Sequence, residues 1–253
     1  MSNIYVQRII KIAQSAGAVI MNIYDSECLE AEWKSDGSPL TRADKAANEI
    51  IVSGLQKLSP AIPIVSEEER EIPWSQRKNY QKYWLIDPLD GTKEFIERND
   101  EFTVNIALIE GHQAVLGIVY APAKGLLYYG GKEIGAFKKD ASKDATQIRI
   151  VDVSPDQNTW RIVGSRSHQT EEFKSFIQQF SNTEVVSMGS SLKLCLVAEG
   201  KADLYPRLGP TCEWDTAAAQ AVVEAAGGQV IDYKTNKSLK SVSYTHLTLP
   251  TIA

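Results

Sequence analysis

Two aspartates, Asp87 and Asp90, lie where an apolar run of the sequence ends, in the stretch WLIDPLDGTKEF (84–95). Pro88 lacks the backbone donor that a β-strand uses, and Gly91 permits a tight turn, so both carboxylates are expected at the end of a buried strand. Neighbouring carboxylates repel each other, and a shared divalent cation is the usual way in which both stay ionised. Because no His or Cys lies in this stretch, the ligand set is typical of a hard cation, and Mg²⁺ is expected.

Two further acidic residues are candidates for the same site, because two carboxylates seldom complete an octahedral coordination shell. Glu67 lies in SEEE (66–69), at the end of another predicted strand, and Asp215 lies in EWDTAA (213–218), at a predicted helix start. The sequence leaves a second interpretation open for each of them. Asp215 is equally typical of a helix N-cap, and the acidic run 67–69 is also typical of a solvated turn.

The residues that follow the aspartates indicate phosphate chemistry. The backbone N–H groups of Gly91 and Thr92 are placed to bind a phosphate, and two or more Mg²⁺ ions that bridge a phosphate ester activate a water and stabilise the departing oxygen. Asp-Gly-Thr also ends the DxDGT signature of haloacid-dehalogenase-type phosphotransferases. The nucleophilic aspartate of that signature falls on Pro88. Since proline cannot attack phosphorus, the carboxylates are interpreted as metal ligands.

The spacing of apolar residues predicts the elements that carry these groups. Residues 3–24 have helical periodicity, and a second helix is expected to begin at Thr41, three residues before Asp44, as in a capping box. IPIVSEEE and YWLIDP are predicted strands, the second ending at Asp87, and residues 102–139 are a predicted antiparallel meander. Beyond residue 150 the pattern alternates as in an α/β unit, with strands RIVGSRS, EVVSMG, ADLYPRL and QVIDY and helices TEEFKSFIQQF, SSLKLCLVAEG and DTAAAQAVVEAAGG.

A polar, weakly patterned stretch from Asp140 to Asp156 predicts a boundary between two half-domains. Residues 1–150 are expected to form an α+β half-domain with most of the metal ligands, and residues 151–242 an α/β half-domain. Residues 243–253, SYTHLTLPTIA, contain no Lys, Arg, Asp or Glu and do not continue the preceding strand pattern. They are either a genuine terminal segment or foreign sequence introduced during cloning, and the second interpretation is favoured.

The composition argues against several classes of protein. The 253 residues include 27 basic and 32 acidic side chains, a formal net charge of -5, which argues against a nucleic-acid groove. The three cysteines are too few and too scattered for a disulfide framework or a CxxC zinc site, and they indicate a reducing compartment. The first 20 residues resemble neither a signal peptide nor a membrane-spanning segment. A cytoplasmic protein is therefore expected.

Several separated motifs resemble those of the inositol monophosphatase superfamily of Mg²⁺-dependent, lithium-sensitive phosphatases, namely DPLDGTKEF, the upstream SEE and TRAD, and the downstream WDTAA. With FTVNIALI, GIVYAP, GSSLK, LVAEG and YPRLGPT, the chain closely resembles the bacterial 3′(2′),5′-bisphosphate nucleotidases within it, as far as about Tyr233. The resemblance implies a mixed α and β fold, a layered αβαβα sandwich with an antiparallel sheet in the first half and a mixed sheet in the second. Relatives continue with an Asn-Pro segment and an apolar strand, which SYTHLTLPTIA replaces.

The resemblance also implies roles for individual residues. Two or three Mg²⁺ ions would be held by Glu67, Asp87 as the bridging ligand, the Leu89 carbonyl, Asp90 and Asp215. Thr92 and Asp44 would orient and deprotonate the attacking water, and Glu67 would complete the catalytic set. The implied substrate contacts are Gly91, Thr92, Ser190, Ser191, Lys193, Arg207 and Asp215, and the role of Lys93 beside the turn is left open.

The implied activity is Mg²⁺-dependent hydrolysis of 3′-phosphoadenosine 5′-phosphate to AMP and phosphate, a reaction of sulfur assimilation. The 5′-phosphosulfate analogue, which would give adenosine 5′-phosphosulfate, is a second expected substrate. One alternative is an inositol or sugar monophosphatase, and another, of a different class, is a non-catalytic module that only binds metal or phosphate. The expected partner is a small nucleotide rather than a nucleic acid polymer, and the family implies peripheral association with the cytoplasmic side of the inner membrane.

Overall fold

The structure is a computed structural model that describes residues 3–26, 31–33, 39–69, 72–154, 158–165, 170–240, 247–248 and 251–252. The helices are α1 (Asn3–Tyr24), α2 (Arg42–Leu58), α3 (Trp74–Arg77), α4 (Thr92–Ile96), α5 (Glu171–Ile177), α6 (Leu192–Ala198) and α7 (Glu213–Ala225). The strands are β1 (Ala31–Trp33), β2 (Pro39–Thr41), β3 (Ile64–Ser66), β4 (Lys82–Asp90), β5 (Thr103–Glu110), β6 (Gln113–Ala121), β7 (Leu126–Gly131), β8 (Gly135–Asp140), β9 (Thr146–Ile148), β10 (Trp160–Ser165), β11 (Thr183–Met188), β12 (Pro210–Thr211), β13 (Ile231–Asp232), β14 (Lys237–Ser238), β15 (Leu247–Thr248) and β16 (Thr251–Ile252). None of these helices combines the length and hydrophobicity that crossing a bilayer requires.

A seven-stranded sheet with the strand order β3-β4-β5-β6-β7-β8-β9 forms the centre of the fold. β3 runs parallel to β4, and all other neighbouring strands are antiparallel. The meander predicted for residues 102–139 is confirmed by β5 to β8. In β4, Trp84 and Ile86 belong to one hydrophobic cluster, and Tyr83 and Leu85 to the other. Because successive side chains point to opposite faces, both faces of this sheet are covered.

Helix α1 covers one face of the sheet together with α2. Its buried residues include Ile9, Ala13, Ala16 and Ile20, which recur at helical spacing. The helix predicted for residues 3–24 is therefore confirmed.

Helix α2 begins with the capping box that the sequence predicted. Thr41 is the N-cap residue, and its hydroxyl oxygen accepts a hydrogen bond from the Ala43 N–H at 3.1 Å. The Thr41 N–H donates to Asp44 Oδ2 at 2.8 Å, and the Thr41 hydroxyl donates to the same oxygen at 2.5 Å. These bonds satisfy backbone donors that the first helical turn cannot pair internally, and they fix the Asp44 side chain.

Helices α6 and α7 cover the opposite face of the sheet. The side of α7 that faces the strands is rich in alanine, including the buried Ala217, Ala218 and Ala221. The helix approaches β6 so closely that a Cβ atom on Gly117 would lie 1.9 Å from the Ala218 carbonyl oxygen. The small residues of α7 and β6 therefore determine the distance between the helix and the sheet.

The remaining layers are a second sheet and α5. β10 and β11 form a parallel pair. Val163 in β10 belongs to the cluster around α6, and its neighbour Gly164 faces the ring of Phe173 in α5. The order of layers is thus α1/α2, large sheet, α6/α7, small sheet and α5. This order confirms the predicted mixed α and β fold with an αβαβα arrangement.

Two predicted strands of the second half differ from the structure. The segment ADLYPRL is not a strand, and among the described residues its ladder contact is a single bridge between Leu204 and Ile162. Pro206 has no N–H with which to extend that ladder. The strand predicted from QVIDY is limited to β13, which pairs with β14 and β16.

The predicted division of the chain remains a prediction. β9 still belongs to the large sheet, and β10 opens the small one at Trp160. Within residues 243–253 the structure describes β15 and β16, which pair with β12 and β13, and the rest of this segment lies outside the described residues. Its origin likewise stays a prediction.

We expect Gly117→Ala to lower the free energy of unfolding by about 2 to 3 kcal/mol, because the new methyl group overlaps the backbone of α7. Urea unfolding followed by circular dichroism measures this change. Gly209→Ala is the matched control, since among the described residues no atom beyond its chain neighbours lies within 4 Å of a Cβ there. Equal stability of the two variants would contradict the assigned helix–sheet contact.

Candidate active site

A β-bulge brings both aspartates of β4 to the same face of the sheet. Asp87 pairs with Asn105 and Asp90 with Thr103, so three steps along β4 correspond to two along β5. In a regular strand, residues three apart point to opposite faces, and the extra residue cancels that difference. Pro88 lies within the bulge, where its missing N–H leaves no ladder bond unmade. The strand continues to Asp90, three residues past its predicted end.

Carboxylates from three distant parts of the chain meet beside β4. One carboxylate oxygen from each of Glu67, Asp87 and Asp215 lies within 4.8 Å of the other two, and Asp87 is 1% exposed. Glu67 directly follows β3, and the parallel pairing of β3 with β4 brings it to the same end of the sheet. Asp215 lies in the first turn of α7, where its Oδ2 accepts hydrogen bonds from the Thr211 hydroxyl and the Cys212 N–H, each at 2.9 Å. Three of the four carboxylates that were expected to converge therefore meet here, and Asp90 is not one of the three.

The three-carboxylate cluster has a high electrostatic cost when no cation is bound. Burial raises the pKa of Asp87 well above its usual range, and the negative charges of Glu67, Asp90 and Asp215 raise it further. Burial also raises the pKa of Asp215 to about 6, with Asp90 as the next contribution. Each ionised pair at such distances costs about 3 to 4 kcal/mol at an effective dielectric constant near 20. Oxygen donors that would otherwise repel one another fit a hard divalent cation.

Asp90 lies beside the cluster and is held by residues of the second half of the chain. Its Oδ2 accepts hydrogen bonds from the Ser190 hydroxyl at 2.5 Å and from the Ser191 N–H at 2.6 Å. The Thr103 hydroxyl lies 2.6 Å from Ser190 Oγ and 2.8 Å from Ser191 Oγ. The Ser191 hydroxyl donates to Asn105 Oδ1 at 2.8 Å. Ser190 and Ser191 thus orient the Asp90 carboxylate, and residues of β5 hold the two serines in turn.

A threonine and an aspartate face each other at the end of the bulge. The Thr92 hydroxyl lies 3.3 Å from Asp44 Oδ1 and 3.3 Å from the Leu89 carbonyl oxygen. Asp44 is 1% exposed, and its other oxygen accepts the capping bonds from Thr41. The capping box fixes the Asp44 carboxylate, and its Oδ1 accepts the hydrogen bond from the Thr92 hydroxyl.

A cavity of about 230 Å³ opens beside these groups. Its walls include the acidic Asp90, Glu94 and Asp215 and the basic Lys93, Lys193 and Arg207. The ammonium group of Lys193 lies 5.7 Å from the centre of the Tyr205 ring, a cation–π contact. The cavity therefore combines carboxylates that are suited to metal ions with three basic side chains that are suited to an anionic group of a ligand.

The structure brings most of the predicted site residues together. The cavity walls contain the predicted substrate contacts Gly91, Ser190, Ser191, Lys193, Arg207 and Asp215, and also Lys93. Thr92 lies next to Asp44, as the resemblance implied. Asp215 is the third residue of α7 in a capping box whose N-cap is Cys212, so the N-cap interpretation of Asp215 is wrong, although its carboxylate does cap that helix.

Ser191 lines the cavity, but its hydroxyl and its N–H both have protein partners. Its hydroxyl is bonded to Asn105 and its N–H to Asp90. Three further residues were not predicted from the sequence. Thr103 contacts Ser190, Asn105 contacts Ser191, and Glu101 contacts the preceding Gly189. One signal was available in FTVNIALI, where two polar residues spaced by two interrupt an otherwise apolar strand.

We expect Asp215→Asn to be more stable than the parent protein at pH 7.5 in the presence of a chelator, and equally stable near pH 3.5. The pKa of Asp215 rises from 3.8 to about 6 on folding, so its contribution to stability is present below pH 4 and is lost as the pH rises to 6. The shift corresponds to at most about 3 kcal/mol. Thermal unfolding at both pH values measures the difference, with the exposed Asp144→Asn as control. A variant less stable than the parent at pH 7.5 would contradict this account.

Comparison with known proteins relates this arrangement to a family. A sequence profile of the Inositol monophosphatase family matches residues 5–251. The 3′(2′),5′-bisphosphate nucleotidase CysQ of Salmonella typhimurium is 47% identical over 240 residues, 94% of this chain and 93% of that protein, and CysQ of Escherichia coli K12 is 46% identical over 228 residues, 90% of each. The crystal structure of CysQ from Bacteroides thetaiotaomicron, 37% identical, matches with a TM-score of 0.81 over 97% of this chain and 94% of that one. This chain therefore belongs to the inositol monophosphatase family.

Proposed function

We propose that this protein is a Mg²⁺-dependent phosphomonoesterase that hydrolyses 3′-phosphoadenosine 5′-phosphate to AMP and phosphate. The supporting observation is a cluster of three carboxylates that adjoins a cavity with three basic residues in its walls. Such a site has one place for metal ions and another for a second phosphate. Relatives that match at least 90% of the chain carry the name bisphosphate nucleotidase, which supports the same substrate.

The metal ligands in this proposal are Glu67, Asp87, the Leu89 carbonyl, Asp90 and Asp215. The raised pKa of Asp87 and its burial support a bridging position, because this carboxyl has the most to gain from a cation. Two or three Mg²⁺ ions, when bound, would polarise the phosphoryl oxygens, lower the pKa of a bound water and stabilise the leaving oxygen. Glu67 belongs to the carboxylate cluster and would also orient that water.

Thr92 and Asp44 form the proton path of the proposed reaction. The Thr92 hydroxyl accepts a proton from the attacking water while its own proton passes to Asp44 Oδ1, 3.3 Å away. Asp44 is suited to this role because the capping bonds at its other oxygen keep it oriented. The N–H groups of Gly91 and Thr92 would hold the phosphoryl group at the start of α4.

The basic residues of the cavity would recognise the phosphate that is not cleaved. Lys193 and Arg207 line the wall, and charge-assisted hydrogen bonds from such groups to phosphate are the stronger kind. Lys193 is further oriented by its contact with Tyr205. Lys93 lies in the same cavity, and we include it as a third contact.

Several finer points belong to this proposal on the strength of the family resemblance. They are hydrolysis of the 5′-phosphosulfate analogue, inhibition by lithium, a cytoplasmic location and peripheral association with the inner membrane. The division into half-domains at residue 150 is a further one, which would place the cavity at their junction.

We expect Asp90→Asn to lower phosphate release from 3′-phosphoadenosine 5′-phosphate by more than about a hundredfold, because a ligand charge is lost while an amide oxygen still accepts the bonds from Ser190 and Ser191. Phosphate release with and without Mg²⁺ measures this. Exposed Glu97→Gln serves as the matched control. Circular dichroism and thermal unfolding test that the variant is folded.

Retained activity in a folded Asp90→Asn protein would disprove the proposed metal mechanism. A folded parent protein that is stabilised by Mg²⁺ without any turnover would instead favour the non-catalytic module. Faster hydrolysis of inositol 1-phosphate than of the nucleotide would favour the inositol phosphatase alternative.

We expect Lys193→Met to reduce kcat/KM for 3′-phosphoadenosine 5′-phosphate by about 10- to 100-fold, the effect of one lost charge-assisted hydrogen bond. Adenosine 3′-monophosphate lacks the second phosphate, so its kcat/KM should change by less than about threefold. The exposed Lys174→Met on α5 is the control. An equal loss for both substrates would contradict the assigned role of Lys193.

A further inference from the structure

The loop that joins β11 to α6, residues Gly189 to Ser191, is fastened to the first half of the chain at every residue. Its hydrogen bonds reach β4, β5 and the connection between α4 and β5. These partners are 86 to 101 residues away in sequence. The position of this loop is therefore set by tertiary contacts rather than by its own sequence.

Glu101 holds the first residue of the loop. The Gly189 N–H donates to Glu101 Oε2 at 2.8 Å in a buried hydrogen bond, and Glu101 is 3% exposed. A Cβ atom on Gly189 would lie 2.9 Å from Glu101 Cβ and 3.0 Å from the Glu101 carbonyl oxygen. The loop thus rests directly on Glu101, at a distance that a larger residue would not permit.

The second residue of the loop has a strained backbone. Ser190 has φ of +55°, in the left-handed region that serine rarely adopts. Such a conformation persists where the surroundings determine it. Here the Gly189 N–H is held by Glu101 on one side, and the Ser191 N–H and the Ser190 hydroxyl are held by Asp90 on the other.

We infer that Glu101 is a positioning residue for Asp90, an inference that rests on the proposed function of Asp90 as a metal ligand. By holding Gly189, Glu101 fixes the strained turn at Ser190, and the turn directs two donors to Asp90 Oδ2. Both bonds end on Oδ2, and among the described residues no hydrogen bond reaches Oδ1, which leaves that oxygen for a cation. Substitution of a residue that orients a metal ligand typically lowers metal affinity or activity by about 10- to 100-fold.

A purely structural role for Glu101 makes a different prediction. Lys124 Nζ lies 3.9 Å from Glu101 Oε1, so the residue also takes part in an ion pair. If that pair were the main function, charge at position 101 would decide the effect of a substitution. If the hydrogen bond to Gly189 is the main function, the effect of a substitution depends on whether the new side chain still places an acceptor oxygen near the Gly189 N–H.

Three substitutions at Glu101 and one control separate the two roles. Glu101→Gln keeps an acceptor and removes the charge, Glu101→Asp keeps the charge but withdraws the acceptor by one methylene, and Glu101→Leu removes both. Lys124→Met breaks the ion pair alone. The first readout is the Mg²⁺ concentration that gives half of the maximal rise in melting temperature, measured without substrate. The second is the Mg²⁺ concentration for half-maximal phosphate release.

We expect Glu101→Asp and Glu101→Leu to raise both Mg²⁺ midpoints by about tenfold or more, with activity recovering at high Mg²⁺. Glu101→Gln and Lys124→Met should stay within about threefold of the parent protein. Unchanged midpoints in folded Glu101→Asp protein, or a loss in Glu101→Gln equal to that in Glu101→Asp, would overturn the inference. If Glu101→Leu fails to fold, the comparison of Glu101→Asp with Glu101→Gln still distinguishes the hydrogen-bonding role from the ion-pair role. If the parent protein does not hydrolyse the nucleotide, the proposed function fails, while the melting measurement still tests the role of Glu101.

Discussion

Repulsion among the carboxylates around the buried Asp87 is the constraint that the rest of this fold has to satisfy. Glu67, Asp87 and Asp215 approach within 4.8 Å of one another, and an unfolded chain would keep such groups apart in water. Each belongs to a different element, so no local interaction brings them together. Parallel pairing of β3 with β4 supplies the first contact, and the packing of α7 supplies the third carboxylate. The sheet and helix must therefore be rigid enough to oppose several kcal/mol of repulsion.

The packing of α7 is what meets this requirement. Its alanine face lies against strands that present Gly117 and Gly130. A Cβ on Gly117 would lie 1.9 Å from the Ala218 carbonyl oxygen, and one on Gly130 would lie 3.2 Å from Val222 Cα. A helix in such close contact has little freedom to rotate or to rise from the sheet. Asp215 lies in the first turn of α7, so the packing of the helix fixes its backbone position, and the hydrogen bonds from Thr211 and Cys212 fix its side chain. Thus small residues distant from the cavity determine the geometry within it.

Periodicity and local chemistry predicted the parts of the structure that depend on short-range interactions. The apolar spacing of α1, the capping box at Thr41 and the alternation of the meander are local signals, and all three were confirmed. The β-bulge at Pro88 depends on the register of β4 against β5, and the hydrogen bond from the Ser191 hydroxyl to Asn105 joins residues 86 positions apart. One sequence contains no signal for such distant pairing. The strand expected at ADLYPRL is reduced to one bridge between Leu204 and Ile162, because Pro206 cannot extend the ladder.

Features that lower stability are concentrated around Asp90. Ser190 has a left-handed backbone, Asp87 has a strongly raised pKa, and Asn105 Nδ2 is one of two buried side-chain nitrogen or oxygen atoms in the described residues that lack a hydrogen-bond partner. An unpaired buried donor costs about 1 to 3 kcal/mol, and Asn105 stands opposite Asp87 in the ladder. A fold selected for stability alone would spread such costs or remove them. Of these three costs, the repulsion that raises the pKa of Asp87 is the one that a bound cation would offset.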